Sequence, residues 1–169
     1  MAFANGVREA GGSRTGVVGL VPCAVGGTKI TQWARGTRLY GQLVSRARES
    51  VKDGGTIRGV LWYQGESDTV RKEDAEAYKA NMKTLITNLR SDLNLPALPV
   101  IQVALASGEG KFIETVRSAQ LAINLPNVKC VDAKGSPLEP DHLHLTTVSQ
   151  EHVGLNLAHA FLASFGHML

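Results

Sequence analysis

Short runs of Val, Ile and Leu alternate along this chain with longer amphipathic stretches. That alternation constrains the fold more than any other feature. The apolar runs lie at 16–21, 57–63, 98–105 and 128–131, each bounded by Gly, Pro or Asn, and read as strands. The stretches at 1–9, 37–52, 72–92, 112–124 and 146–165 read as helices. In the third of these, Tyr78, Met82, Leu85, Ile86 and Leu89 recur at spacings of three and four, which makes one apolar face. Thr146-Thr147, followed closely by Gln150, supply amino-terminal capping chemistry to the last.

Strands apolar throughout are strands buried on both faces, and alternation with helices implies a doubly wound α/β fold with a parallel sheet. Right-handed crossovers leave one rim of loops at the carboxyl ends of the strands, where ligands of such folds bind. Three connections on that rim are unusual: 22–30, 64–68 and 135–145. No repeat, linker or low-complexity stretch interrupts the 169 residues, so a single domain over 1–169 is expected.

Composition narrows the function. No run approaches the roughly 18 consecutive apolar residues of a membrane span. The amino terminus lacks the parts of a secretory signal, so the chain as written reads as cytoplasmic. The net charge of +3 is mild, and Arg35, Arg38, Arg46, Arg48, Arg71 and Lys72 are scattered. No nucleic-acid partner is expected. Cys23 and Cys130 permit one disulfide, show no metal spacing, and read best as buried free thiols. Neither a metal nor another cofactor is expected, and oligomeric state is left open.

The richest stretch is Trp62-Tyr63-Gln64-Gly65-Glu66-Ser67-Asp68, where an apolar strand turns abruptly polar. Gln64 can offer an amide N–H to a developing oxyanion, and Glu66 is an acid–base candidate. Asp141-His142-Leu143-His144 places a carboxylate three residues before an imidazole, close enough to fix its tautomer and stabilise the imidazolium. On its own that spacing also suits a capping Asp beside a surface His. His142 and His144 form an H-x-H pair, but no third metal ligand is evident. Gly26-Gly27 can present backbone N–H groups to an anion, or simply turn the chain. Gly108-Glu109-Gly110-Lys111 does not have P-loop spacing. Trp33, Trp62 and Tyr63 could stack on sugars, though packing is the commoner use of such aromatics.

Taken together, Ala24-Val25-Gly26-Gly27-Thr28, the W-Y-Q-G-E-S-D string and Asp141-x-x-His144-Leu145 resemble the SGNH-hydrolase superfamily. The specific likeness is to the sialate O-acetylesterase-like domain of carbohydrate esterase family six, including plant members, and it covers essentially the whole chain. The resemblance implies a flavodoxin-like three-layer α/β/α sandwich. It also implies hydrolysis of an ester, typically an acetyl group on a sugar, through an acyl-enzyme. His144 would be the general base, oriented by Asp141, with Glu66 an alternative acidic partner. Gly26 or Gly27, with Gln64, would form the oxyanion hole.

One part of the pattern is missing. Family members carry their nucleophile in a G-Q-S-N block at the end of a first, central strand, and no such block occurs here. Ser67 is the nearest hydroxyl in the rim motifs, without the flanks of a nucleophile elbow. The expectation is therefore a chain lacking the central strand and nucleophile of its family, and inactive on its own. A non-catalytic carbohydrate-binding or regulatory protein of the same fold is the alternative. A flavodoxin-like nucleotide binder is a more distant one.

Overall fold

The computed structural model describes residues 1–12 and 15–168. Its elements run α1 (Ala2–Gly11), α2 (Arg38–Glu49), β1 (Val60–Trp62), α3 (Lys72–Asp92), β2 (Val100–Ala104), α4 (Ile113–Leu121), β3 (Val128–Asp132) and α5 (Thr147–Phe165). Short 3-10 helices at Ile30–Trp33 and Glu66–Thr69 interrupt two of the connections. The strands form one parallel sheet in the order β1-β2-β3. Val60 stands beside Val100 and Val100 beside Val128.

β2 lies at the centre of this sheet, and all of its residues are buried. Its side chains alternate between two apolar layers. Val100, with Leu105 just beyond the strand, packs with Trp62, Tyr40 of α2, the apolar face of α3 and Val116 of α4. Ile101 and Val103 point the other way, into a layer built from Val7 of α1 and from Val153, Leu157 and Phe161 of α5. The result is the flavodoxin-like α/β/α sandwich. Tyr78, Met82, Leu85, Ile86 and Leu89 of α3 are all buried, as their spacing predicts. Each contributes roughly 1.5–3 kcal/mol by area. Across the sheet α1 lies against α5, where Phe3 meets Phe161 edge to face at 5.9 Å.

Helix ends follow local chemistry. Thr37 caps α2 by accepting from the Tyr40 N–H at 3.4 Å, and Thr146 caps α5 by accepting from the Ser149 N–H at 3.2 Å. Gln150 takes no direct part in that cap; its amide reaches back to the Leu145 carbonyl at 2.9 Å. Glu73 and Asp74 in the first turn of α3, and Arg90 in its last, suit the helix dipole. Cys23 and Cys130 are free and half-buried rather than fully buried, and burial pushes the Cys130 thiol up to about 11.

One expected strand does not form. Residues 16–21 adopt no regular secondary structure. Among the described residues, no backbone–backbone hydrogen bond involves any position from 16 to 28. Val17 is fully exposed, and Leu20 and Val21 are nearly half exposed. Apolar β-prone residues need a neighbouring strand to satisfy their backbone, and none lies beside them. β1 is correspondingly short and bonded on one side only, leaving Leu61 38% exposed at a bare sheet edge.

Such an edge is a template for further pairing. The recombinant chain is therefore expected to self-associate at micromolar concentrations, and Leu61→Lys should shift it toward monomer in sedimentation velocity. A wild-type chain that sediments as a single monomer would contradict the exposed-edge reading.

Candidate active site

The connection that follows β1 is organised around Asp68, whose carboxylate is fully buried. It accepts the Ile30 N–H at 3.0 and 3.2 Å and the Gln64 side-chain amide at 2.7 Å. The same Gln64 nitrogen donates to the Thr28 carbonyl at 2.8 Å. Burial pushes the Asp68 carboxyl up, while Gln64 and the Ile30 N–H pull it back. Tyr78 completes the frame by donating its hydroxyl to the Gln64 main-chain carbonyl at 2.8 Å. Both amide hydrogens of Gln64 are thus spent on Thr28 and Asp68.

These bonds fasten the 22–30 connection against the 64–68 connection. Thr28 also accepts from the Trp33 indole at 3.0 Å, and Lys29 pairs with Asp74 of α3 at 2.6 Å. Gly26 and Gly27 stand exposed at the apex, with open space where a side chain would project and Gly27 at φ 66. The pair therefore presents bare backbone at the rim.

Asp141 and His144 meet as the sequence spacing predicts. Asp141 Oδ2 lies 2.6 Å from His144 Nδ1, while Oδ1 accepts the backbone N–H groups of Leu143 and His144, each at 2.9 Å. The carboxylate is thus fixed by three partners, and it fixes one ring nitrogen. His142 takes a left-handed conformation, φ 56, in the turn between them. The His144 side chain is 73% exposed, and among the described residues Nδ1 alone of its ring atoms has a partner. Nε2 is available to a reacting group.

The electrostatics follow from this geometry. The hydrogen bond from His144, with the two backbone N–H groups, holds the Asp141 carboxyl well below the usual carboxylate range. The bond to Asp141 and its charge raise His144, with smaller upward contributions from Glu66 and Glu139. Because the folded value is raised, the charged pair stabilises the fold below the ordinary histidine pKa of about 6.5 and loses that effect as pH rises through His144's own value. The neutral imidazole that can accept a proton predominates only above that value.

Glu66 is mostly buried, and burial pushes its carboxyl up, with Glu109 and Asp68 adding to the shift. Its influence on His144 is through space; Asp141 holds the direct bond. Ser67 is buried and donates to Glu109 Oε1 at 2.7 Å, which ties it to a neighbouring loop. Trp33 and Trp62 are core residues, packed edge to face at 5.3 Å. Tyr63 is half-buried, its hydroxyl accepts the Ala106 N–H at 3.5 Å, and burial pushes it up to about 12. Among the described residues no three His, Cys, Asp or Glu side chains gather as metal ligands, and no helix is long and apolar enough to cross a membrane. The loop after β2, 105–112, is a rim component; its Gly108-Glu109-Gly110-Lys111 stretch lacks P-loop spacing, and the three unusual connections read from the sequence do not include it. It is stitched to the 64–69 segment by Glu109 N–H to the Glu66 carbonyl at 3.2 Å and Gly110 N–H to Thr69 Oγ1 at 2.8 Å.

With this arrangement in view, a family model described as carbohydrate esterase, sialic acid-specific acetylesterase, matches residues 1–163. The chain belongs to that family. An Arabidopsis thaliana protein described as a probable carbohydrate esterase is 58% identical over 165 residues, which is 98% of this chain and 63% of that relative. The chain therefore spans less than two thirds of that relative's length. An X-ray structure of an Arabidopsis thaliana protein superposes with a TM-score of 0.94 at 58% identity, covering 96% of this chain and 67% of that one. The crystal structure of a carbohydrate acetylesterase from Xanthomonas citri gives a TM-score of 0.75 at 26% identity, covering 99% of this chain and 41% of that one.

For this member of the acetylesterase family the pair makes a prediction that needs no turnover. Followed by NMR, the His144 ring should titrate above about 6.5 and drop toward that value in Asp141→Asn. An unchanged midpoint in the variant would refute the pairing.

Proposed function

We propose that these residues form the acid–base side of a serine ester hydrolase that removes acetyl groups from carbohydrates. The observation that carries this reading is the Asp141–His144 pair, pre-set by two backbone bonds at an exposed rim. In the proposed reaction a serine hydroxyl attacks the ester carbonyl as His144 Nε2 takes its proton, while Nδ1–H stays bonded to Asp141. The oxygen of the tetrahedral intermediate is held by backbone N–H groups of the Gly26–Gly27 turn, with Gln64 on the same side. His144 then returns the proton to the leaving sugar hydroxyl. Water, activated by the same imidazole, releases acetate from the acyl-enzyme.

Gln64 enters this scheme in an amended role. With both amide hydrogens engaged, it serves the oxyanion side by pinning the Thr28 carbonyl, and hence the turn before it. Direct donation would require it to exchange one of those bonds for the oxyanion. Glu66 contributes a negative field behind His144 rather than a second hydrogen bond. Supporting the acyl chemistry are the family and the Xanthomonas citri acetylesterase neighbour. Of the aromatics that the sugar-binding alternative would use, Trp33 and Trp62 are buried in the core and Tyr63 is half-buried.

The serine in this proposal comes from outside these residues. Ser67 is committed to Glu109, and no hydroxyl is hydrogen-bonded to His144 Nε2 among the described residues. The bare edge of β1 is where a strand carrying it would add, since β1 pairs only with β2 among the described residues. The 169 residues alone are accordingly proposed to be inactive.

Hydrolysis of p-nitrophenyl acetate and acetylated xylan tests the scheme. Near-background rates are expected from the 169 residues, and esterase activity once an upstream segment carrying G-Q-S-N is joined to them. In that extended protein His144→Ala should cost at least about a thousandfold in kcat. Activity of the short chain that is lost in His144→Ala would disprove the claim that the nucleophile lies elsewhere.

A further inference from the structure

The loop carrying Asp141 and His144 is closed on itself and on the helix that follows. Glu139 N–H bonds the His144 carbonyl at 2.7 Å, Thr146 N–H bonds the Pro137 carbonyl at 3.2 Å, and Ser149 Oγ donates to the Pro137 carbonyl at 2.7 Å. All of these bonds secure its base. At its tip, among the described residues, one hydrogen bond joins it to the rest of the rim. Ser107, buried in the loop after β2, donates its hydroxyl to the Leu143 carbonyl at 2.5 Å.

The other end of that bond is firmly anchored. Beyond Ser107 the chain runs Gly108-Glu109-Gly110, the motif that lacks P-loop spacing, and here it has a different use. A Cβ at Gly110 would lie 2.5 Å from the Val70 Cα, and one at Gly108 would lie 2.8 Å from the Thr69 side chain. Only glycine lets this loop lie flat on the Glu66–Thr69 segment. Glu109 then bonds that segment twice, through its N–H to the Glu66 carbonyl and its carboxylate to the Ser67 hydroxyl. A continuous strut therefore runs from Glu66, through Glu109 and Ser107, to the residue before His144.

We propose that Ser107 is a positioning residue, whose hydroxyl holds the Asp141–His144 loop at a fixed separation from Glu66 and the oxyanion side of the site. The inference deepens the esterase reading and rests on it. Asp141 and His144 would still meet without Ser107, because their contact is local. Their placement relative to the other connections would not survive, and misplacement of a base by about 1 Å is enough to slow chemistry.

The charges that act on His144 are Asp141 and Glu139 of its own loop and Glu66 of the facing segment. Only the last reports on the separation that Ser107 sets. His144 titration by NMR is therefore compared in wild type, Glu66→Gln, Ser107→Ala and the double variant. Glu66→Gln should lower the midpoint in the wild-type background and leave it unmoved in Ser107→Ala. Gly110→Ala, which displaces the same strut through the backbone, should abolish the response too. In Ser107→Ala the Leu143 and His144 amides, bonded locally to Asp141, should keep their protection, with α3 unaffected. An equal response to Glu66→Gln with and without Ser107, or no response in either, would overturn the proposal. If Asp141→Asn leaves His144 unmoved, it is the esterase reading itself that fails.

Discussion

The rim of this protein depends on one buried carboxylate. Asp68 sits where β1 gives way to polar chain, and its partners come from two connections distant in sequence: Ile30 from the first and Gln64 from the second. An ionised group in such a place is tolerated only when several donors surround it, and removing them is costly. The cost of burying it is also the source of its specificity, since only one arrangement of the 22–30 loop supplies the Ile30 N–H. Among the described residues, 16–28 have no ladder of their own, so this contact, the Thr28 bonds and the Arg46 bond to the Pro22 carbonyl hold the segment that carries Gly26 and Gly27.

From that anchor the site is assembled by relays. Gln64 extends the network to Thr28, and Thr69 and Glu109 carry it to the loop after β2. Ser107 then hands it to the His144 loop. Only the last element, Asp141 with His144, is self-sufficient. The proposed site therefore combines a local, pre-formed Asp141–His144 pair with a Gly26–Gly27 turn that is only as ordered as its long-range bonds. Such a division suits a fold whose reacting groups arrive on separate strand ends.

How much was legible in the sequence follows from this division. α3 could be read exactly, because an apolar face at three- and four-residue spacing is a local property. So could the Asp141–His144 contact, three residues apart in one turn. Residues 16–21 have the composition of a strand, yet a strand exists only where a neighbour bonds it, and composition does not reveal neighbours. Gln64 looked like a free donor because its acceptors, Thr28 and Asp68, are set by tertiary placement. Ser107 left no signal at all: a serine in a glycine-rich loop is unremarkable until the Leu143 carbonyl is found above it. Gly108 and Gly110 did carry a signal. Their pattern failed as a phosphate loop, and a close approach to another backbone was the remaining physical reason for two glycines so near each other.

The most direct test of this account is the exchange rate of a single amide. Ile30 follows a run, 16–28, that makes no backbone–backbone hydrogen bond among the described residues, and its own N–H is bonded to Asp68. Hydrogen exchange should find Ile30 slower than residues 16–25 by about a hundredfold or more, with that protection lost in Asp68→Ala while the α3 amides stay slow. An Ile30 amide that exchanges as fast as Val17 to Val25 in the wild-type chain would contradict the central place given to Asp68.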